Sequence, residues 1–447
     1  MVRCIRTTGL AVIVTMVAGC AGSGAASQAS GGPSAGRANE AAPAVRETAA
    51  ARPEATSEGA ARSSSSSVEG VLAGMSVEEK VGQLFMPVLY GSSATTSSGE
   101  NQARFGAATP AKVIAKYRPG GVILFPWADN VKSVRQLVAL TNGMQKASPG
   151  VPLLVGADQE NGQISRLAPL VTELPAAKVI GSTGDPSLAR RAAKVTGTEL
   201  RALGVNLDFA PVADVNVNPR NPVIGPRAYG SDPGKVAPMV AAAVRGFHDA
   251  GVAATAKHFP GHGDTSVDSH TGLPVIKHSR SQWSKLDAPP FAAAIEADVD
   301  AIMSAHVVMP KLDPSGDPAT LSKPILTGLL REKLGFEGVV STDALNMAGV
   351  REKYGDGEVA VRAVLAGADL LLMPPDYPKA HGAVLAAVRS GRISGERLDE
   401  SVRRLLKLKA ARGLLTKAPV ADPAEAERVL RSAAHRKVAS LITSRAR

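Results

Sequence analysis

One short segment of the chain combines a histidine and a carboxylate at a spacing that suits proton transfer. It reads Asp268-Ser269-His270 and follows a stretch that contains Gly261 and Gly263. An aspartate hydrogen-bonded to one ring nitrogen of a histidine fixes the tautomer and leaves the other nitrogen ready to exchange a proton. The two glycines predict a loop that can close over a ligand. The residues alone also allow a solvent-exposed loop histidine with no catalytic role.

A second carboxylate that can take part in a reaction is Asp343. It follows a short apolar run and precedes the small residue Ala344. A carboxylate held rigidly at the end of a strand can act as a nucleophile. It can equally serve as the N-cap of a helix that starts near Ala344. The residues leave both interpretations open.

Eight short apolar runs alternate with segments of helical periodicity, such as 186–203. Buried strands that alternate with helices indicate parallel strands joined by crossover helices. Eight such units predict a (β/α)8 TIM-type barrel. An open doubly wound sheet is the alternative, although no Gly-x-Gly-x-x-Gly follows the first strand. The predicted strands are 84–88, 121–125, 153–157, 206–210, 253–256, 301–304, 338–341 and 369–373.

Polar side chains occur where these strands end. In a barrel of this type the chemistry lies at the carboxyl ends of the strands, so we expect these residues to converge on one site. They are Asp158, Asp208, Lys257, His258, His306 and Asp343.

Four segments together resemble a known family. Residues 257–265, followed by Asp268-Ser269-His270 and Leu273-Pro274, resemble the signature of bacterial β-N-acetylglucosaminidases of glycoside hydrolase family 3. Three further segments are similar to family motifs in the same order along the chain. They are 158–162 (with Asn161 where the family has Gly), 221–227 and 341–347. The resemblance covers roughly residues 75–415.

The resemblance implies a retaining exo-glycosidase that releases N-acetylglucosamine from cell-wall (peptidoglycan) fragments. In it Asp343 is the nucleophile, and His270, supported by Asp268, is the acid/base group in place of a second carboxylic acid. Sugar hydroxyls are bound by four residues, Asp158, Arg227, Lys257 and His258. Arg166 and Asp208 are weaker candidates that could merely order the strand ends.

Three other activities stay open. Within the family they are a β-glucosidase, a broader hexosaminidase and a phosphorylase, in which phosphate replaces water. From another class, a surface lipoprotein could bind wall fragments without cleaving them. The presence of Asp343, Asp268 and His270 together argues against that binder.

We expect neither a metal nor a cofactor. His258 and His262 have the spacing of two ligands on one helix face. Pro260 and Gly261 lie between them and oppose a helix there. The formal charge of +11 is spread along the chain without a basic tract interleaved with aromatics, so no nucleic-acid partner is expected.

The N-terminus predicts export and membrane attachment. Residues 1–19 have the form of a signal peptide with Arg3 and Arg6 before an apolar run. The run ends in a segment that resembles a bacterial lipobox, which implies lipidation of Cys20 and an extracytoplasmic, lipid-anchored protein. An ordinary secretory signal is the alternative.

Composition sets the remaining boundaries. Residues 20–67 are rich in Ala, Gly and Ser and predict a flexible tether. The barrel domain is expected over 68–415, and a C-terminal helical tail over 416–447 with a helix at about 424–440. Both cysteines, Cys4 and Cys20, precede the barrel, so no disulfide is expected in it.

Overall fold

The computed structural model describes residues 67–269, 272–351, 353–415 and 419–446. Ten strands occur within these ranges, and each of the eight predicted runs overlaps one of them. The strands are β1 (Phe85–Met86), β2 (Gly121–Ile123), β3 (Leu154–Ala157), β4 (Gln159–Asn161), β5 (Ile164–Ser165), β6 (Leu207–Asp208), β7 (Ala253–Phe259), β8 (Ala301–Ser304), β9 (Val339–Ser341) and β10 (Leu371–Leu372).

Eight of these strands form a parallel barrel. Strands β2, β3, β6, β7, β8 and β9 pair in that order, and β1 pairs with β10. Bridges between Val88 and Ile123 and between Ser341 and Leu370 join the two sets. The (β/α)8 barrel is therefore confirmed. The additional strands β4 and β5 form a small antiparallel hairpin directly after β3, which sequence reasoning did not predict.

Helices surround the barrel, and their first turns are capped as the sequence dictates. Ser76 accepts a hydrogen bond from the Glu79 amide, while the Glu79 carboxylate accepts one from the Ser76 amide. The helices are 67–73, Val77–Gln83, Gly99–Phe105, Pro110–Tyr117, Val134–Ala147, Ala177–Ser182, Pro186–Ala202, Pro233–Asp249, Arg280–Leu286, Ala288–Glu296, Ala348–Arg351, Asp356–Ala366, Tyr377–Arg389, Gly395–Ala411, Pro423–Val429 and Ala433–Arg445. A π-helical segment covers Pro324–Lys333, and 3-10 turns cover Pro126–Ala128, Gly225–Arg227 and Ala319–Leu321.

The barrel interior is filled by aliphatic side chains. One buried cluster takes at least one residue from each of the eight barrel strands. Because alternate residues of a strand face inward, this cluster fills the barrel interior as a packed core. A reaction site can therefore lie only at the end of the barrel. The strand members of the cluster are Met86, Ile123, Leu154, Leu207, Ala253, Ala301, Met303, Val339 and Leu372.

The C-terminal tail differs from the single predicted helix at 424–440. Two helices occur there, and Arg431 between them has a left-handed backbone (φ 52°). The buried carboxylate of Glu199 holds this break, since it accepts hydrogen bonds from the Arg431 amide at 2.9 Å and from His435 Nδ1 at 2.7 Å. The tail thus packs against the barrel helix Pro186–Ala202. Across the described part of the chain, every helix is too short or too polar to serve as a membrane span.

Candidate active site

The carboxyl ends of the barrel strands surround a cavity of about 380 Å³, which we call the main cavity. Six of the predicted site residues line it together: Asp158, Arg166, Arg227, Lys257, His258 and Asp343. Its other walls are Phe125, Trp127, Glu160, Ile164, Val223, His262, Ser269, Met303, Ala344, Asn346, Met347, Leu372 and Met373. The convergence that the strand ends predict is therefore present in the fold.

A network of buried charges forms one wall of the main cavity. Lys257, near the end of β7, places its Nζ 2.7 Å from Asp158 Oδ1 and 2.6 Å from Glu160 Oε1. Arg227 binds Glu160 in a bidentate manner, with Nε and Nη2 each 2.7 Å from a carboxylate oxygen. Glu160 therefore holds both cations in position at the cavity wall, where Asp158 and Arg227 are more exposed than Lys257 and Glu160.

The ionisation of this network follows from its contacts. Burial disfavours the charged form of Glu160, but Lys257 and Arg227 outweigh it and hold the pKa of this carboxyl far below its usual range. Burial likewise opposes the charge of Lys257, and the carboxylates of Asp158 and Glu160 raise its pKa nevertheless. Glu160 lies within the motif that carries the resemblance, but sequence reasoning assigned it no role.

His258 is oriented by a carboxylate that sequence reasoning missed. Its Nδ1 lies 2.7 Å from Asp214 Oδ2, and its Nε2 lies 3.2 Å from Arg227 Nη2. Since a guanidinium only donates, the Nε2 atom accepts in this arrangement, and Nδ1 carries the proton toward Asp214. Burial works against the charge of Asp214, and His258 overcomes it and lowers the pKa of that carboxyl. Asp214 follows β6 by six residues, the only signal that could have pointed to it.

His262 makes hydrogen bonds within the wall of the main cavity. Its Nε2 lies 3.0 Å from Ser269 Oγ, and its Nδ1 lies 3.2 Å from Thr265 Oγ1. Burial lowers the pKa of His262 to about 4, so the ring is neutral at physiological pH. In the described ranges, no three or more metal-binding side chains are grouped to hold an ion.

Asp343 lines the same cavity as the charge network and is partly exposed. Its Oδ1 accepts a hydrogen bond from the Ala344 amide at 2.7 Å. The surrounding protein disfavours its charge, but His306 and His258 outweigh this and hold the pKa of Asp343 below its ordinary value. His306 is itself buried and donates from Nε2 to the Ala344 carbonyl oxygen at 3.1 Å. Asp343 is therefore an ionised carboxylate facing the cavity.

The loop that carries the predicted acid/base pair is only partly described. Asp268 is partly buried, and Ser269 is buried and lines the main cavity. His270 lies outside the described residues, as does Cys20 with the whole predicted signal peptide and tether up to residue 66. The described part of the loop thus reaches the cavity at Ser269.

Two ion pairs that share His278 join the two ends of this loop, and we call them the loop clasp. His278 Nε2 lies 3.0 Å from Asp264 Oδ2, and His278 Nδ1 lies 2.7 Å from Asp287 Oδ2. The hydrogen bond that His278 donates to Asp287 is the main cause that raises the pKa of His278. Beside the clasp, buried Trp283 donates from Nε1 to the Pro260 carbonyl oxygen at 2.9 Å. The base of the loop is therefore fixed to the helix that follows it.

The glycines before the loop have a packing role. A Cβ on Gly261 would lie 2.8 Å from Asp287 Cβ, and one on Gly263 would overlap the Val215 carbonyl oxygen. Gly261 also has a φ of +127°, which other residues rarely adopt. These positions need glycine because the neighbouring chain approaches closely, which differs from the loop-closing role that the sequence predicted for them.

Asp208 lies beneath the site and does not line the main cavity. Its Oδ1 accepts from the Gln159 amide at 2.9 Å, and its buried Oδ2 has no hydrogen-bond partner. Burial raises the pKa of Asp208 to about 8, against the effect of that hydrogen bond. Asp208 thus orders the turn after β3, which is the structural role that the sequence left open for it beside sugar binding.

Replacing Asp208 with asparagine is expected to stabilise the protein in a pH-dependent manner. From about pH 4 to about pH 8 the folded protein keeps a proton that the unfolded chain has released, so wild-type stability falls as the pH rises through this window. Asp208→Asn imitates the protonated acid and should be more stable by about 4 kcal/mol at pH 7, with no difference near pH 4. Urea unfolding at several pH values checks this. A difference that is constant with pH would mean that Asp208 is ionised in the fold.

This fold and cavity define the class. A (β/α)8 barrel with an ionised carboxylate and a network of buried charges at its carboxyl edge has the architecture of a barrel glycosidase. Residues 76–408 match the Glycosyl hydrolase family 3 N terminal domain, and the chain belongs to this family.

Individual relatives agree with this assignment. The chain is 38% identical over 343 residues to a protein named beta-hexosaminidase A from Pseudoalteromonas piscicida, covering 70% of this chain and 57% of the relative. It therefore spans little more than half the length of that relative. A solved glycoside hydrolase family 3 β-N-acetylglucosaminidase from Paenibacillus sp. FPU-7 has 43% identity and a TM-score of 0.76, over 83% of this chain and 69% of that one. A β-glucoside phosphorylase bound to 2FGlc has 29% identity and a TM-score of 0.77, over 85% and 67%.

Proposed function

We propose that this protein is a retaining exo-β-N-acetylglucosaminidase. The observation that carries the proposal is the ionised carboxylate of Asp343, which lines one cavity together with Asp158, Lys257, Arg227 and His258. A carboxylate of this kind can attack an anomeric carbon while the other charged groups of the cavity hold the sugar. The relatives named β-hexosaminidase and β-N-acetylglucosaminidase support the acetamido sugar as the one released.

The first step forms a covalent intermediate. An Asp343 oxygen bonds to the anomeric carbon, and the bond from that carbon to the leaving oxygen breaks through an oxocarbenium-like transition state. The low pKa of Asp343 keeps it ionised and ready to attack at neutral pH. Its second oxygen stays in the hydrogen bond from the Ala344 amide, which fixes the direction of attack.

Proton transfer is assigned to His270, oriented by Asp268. His270 gives its proton to the leaving oxygen in the first step. In the second step it accepts a proton from water, whose oxygen attacks the anomeric carbon and releases Asp343, so the β configuration is retained. The buried position of Ser269 on the main cavity supports this assignment, because it brings the loop to the reacting groups.

Sugar binding is assigned to the charge network. The Asp158 carboxylate can accept from two hydroxyls, and Lys257 and Arg227 donate in fixed directions. Since Glu160 already holds both cations, little ordering is needed when the sugar enters. Arg166, with its guanidinium 5.6 Å from the centre of the Phe125 ring, stands at the same cavity as a further donor.

We further propose that the substrates are N-acetylglucosamine-containing wall fragments, met outside the cytoplasm by a protein lipid-anchored at Cys20. The support is the N-terminal sequence pattern. Incorporation of a labelled fatty acid into the chain, and its loss in Cys20→Ser, tests the anchor. Equal labelling of both chains would refute it.

The decisive experiment for the activity compares an aryl β-N-acetylglucosaminide with the matching aryl β-glucoside. We expect a strong preference for the acetamido sugar and loss of turnover in Asp343→Ala. Preference for the glucoside would keep the family and discard the proposed substrate. No turnover of either would favour a protein that binds wall fragments without cleaving them.

Phosphorolysis is a second candidate, favoured by the similarity to the β-glucoside phosphorylase. A histidine acid/base that is neutral repels phosphate less than a carboxylate would. Adding inorganic phosphate to the assay tests this candidate. Faster turnover with formation of the sugar 1-phosphate would establish it, and an unchanged rate with free sugar as product would leave hydrolysis.

The loop clasp gives a separate prediction. His278→Gln removes the cation that bridges Asp264 and Asp287 and should loosen the loop that carries the proposed acid. We expect kcat to fall about tenfold on a disaccharide, which needs a proton at the leaving oxygen, and less on an aryl glycoside. His248→Gln, which breaks a similar histidine–aspartate pair with Asp300 away from the cavity, is the matched control. An equal effect on both substrates would assign the clasp a purely structural role.

A further inference from the structure

Trp127 is the one aromatic side chain that the described residues leave largely exposed. Aromatic residues make up only 3% of the chain, and 55% of the Trp127 surface is open to solvent. The second tryptophan, Trp283, is fully buried. A large apolar ring left in water forgoes its hydrophobic stabilisation, so its exposure beside a cavity points to a ligand.

The turn that carries Trp127 is fixed by the hydrogen bonds of a buried side chain. Buried Asn130 donates from its amide to the carbonyl oxygens of Leu89 at 2.9 Å and Gly91 at 3.1 Å. Its Oδ1 accepts from the Phe125 amide at 3.1 Å. A ring on a turn fixed in this way loses little further freedom when a ligand binds, which favours binding.

Two neighbouring rings fix the orientation of the indole. Phe125 stacks on it with ring centres 4.9 Å apart and planes inclined by 27°. Tyr90 contacts it at 5.7 Å with an inclination of 57°. These contacts support Trp127 within an aromatic group while more than half of its surface stays free.

Trp127 stands between the main cavity and a second, smaller depression, which we call the side cavity. Both are lined by Trp127, Asn346 and Met373, so the two spaces are contiguous. The side cavity is small, about 50 Å³, and its other walls include Tyr90, Phe105, Pro374, Pro375 and one charged residue, Arg104. The charge network assigned to sugar hydroxyls lines the main cavity. A ligand bound there can therefore extend over Trp127 towards the side cavity.

We infer that Trp127 is the stacking platform for a pyranose ring in the leaving group of the substrate, and that this ring lies where the main cavity and the side cavity meet. The inference rests on the proposed function, which places the released sugar in the main cavity. A pyranose with equatorial hydroxyls presents a face of C–H groups, and such a face packs well on an indole ring. Its hydroxyls point outward at the edge, where the exposed amide of Asn346 can reach them.

The test uses two glycosides of N-acetylglucosamine with leaving groups of similar reactivity. Chitobiose has a sugar ring as its leaving group, whereas the methyl β-glycoside has none that reaches Trp127. Trp127→Ala should lower the ratio of kcat/KM for chitobiose to kcat/KM for the methyl glycoside about tenfold. Trp127→Phe should restore part of that ratio, since a smaller ring still stacks.

Val420→Ala is the matched control, because Val420 is an apolar residue with 75% exposure that lines neither cavity. An unchanged ratio in Trp127→Ala, whether both values stay constant or fall together, would overturn the platform. Wild-type protein that cleaves neither glycoside would instead overturn the proposed function, and the stacking inference with it. The two failures are therefore distinguishable by the wild-type rates.

Discussion

Asp343→Gly is expected to lower kcat/KM on an aryl β-N-acetylglucosaminide by about four orders of magnitude or more. The reason is that the attacking atom is lost, while the charge network to which we assign sugar binding is left intact. Binding of free N-acetylglucosamine, measured by calorimetry, should therefore weaken far less than the rate. Wild-type activity should persist to a pH below the ordinary range of an aspartate, because the pKa of Asp343 is depressed and its protonation abolishes attack.

The product that the Asp343→Gly variant forms with azide would identify Asp343 as the nucleophile. Removing the side chain leaves space in which azide can attack from the side that Asp343 occupies. The variant should then be partly rescued and yield the α-glycosyl azide, whose configuration is inverted. Asp356→Gly, at a helix start away from the cavity, is the control. A β-azide product, or no loss of rate, would show that Asp343 is not the nucleophile.

Glu160→Gln should reduce both stability and activity. The change leaves the buried cations Lys257 and Arg227 without their shared carboxylate. Removing one partner of a buried ion pair costs about 3 kcal/mol, because the remaining charge is neither hydrated nor paired. We expect the free energy of unfolding in urea to fall by about this amount. We also expect kcat/KM to fall about a hundredfold, as the two cations that bind the sugar lose their positions.

The chain offers a closely matched control for Glu160. Arg135 binds Glu427 through the same two atoms, Nε and Nη2, at 2.7 and 2.8 Å, but this pair is exposed. Glu427→Gln should change stability by less than about 0.5 kcal/mol, since water screens and replaces the interaction. Equal losses in the two variants would mean that burial does not set the energy of the Glu160 network.

The sequence predicted the structure correctly where a residue pattern is compatible with only one kind of fold. Apolar runs of strand length between helical segments can be buried only in a parallel sheet, and all eight appear in the barrel. The polar residues that end those runs could be placed together because the strands share a direction. For this reason Asp158, Lys257 and Asp343 were predicted to converge from distant parts of the chain.

The missed residues depend on contacts that no local pattern encodes. In the sequence, Glu160 does not differ from any other polar residue of a turn. Its role becomes evident only in the fold, which brings Lys257 and Arg227 beside it from two other segments. Asp214 lies beyond the end of its strand and acts through His258, 44 residues away. The break at Arg431 was missed because the buried Glu199 that stabilises it belongs to a distant helix. These positions are decided by tertiary packing, which overrides local preference.

The contrasting surroundings of the two tryptophans give this protein a built-in optical readout. Trp283 is sealed beside the loop clasp, so its emission should be blue-shifted and shielded from a soluble quencher. Trp127 is largely exposed, so its emission should lie further to the red and be readily quenched. A sugar over Trp127 would protect only the red component, whereas opening of the loop base would alter only the blue one. Occupancy of the cavity and integrity of the loop can thus be followed separately in the unlabelled chain.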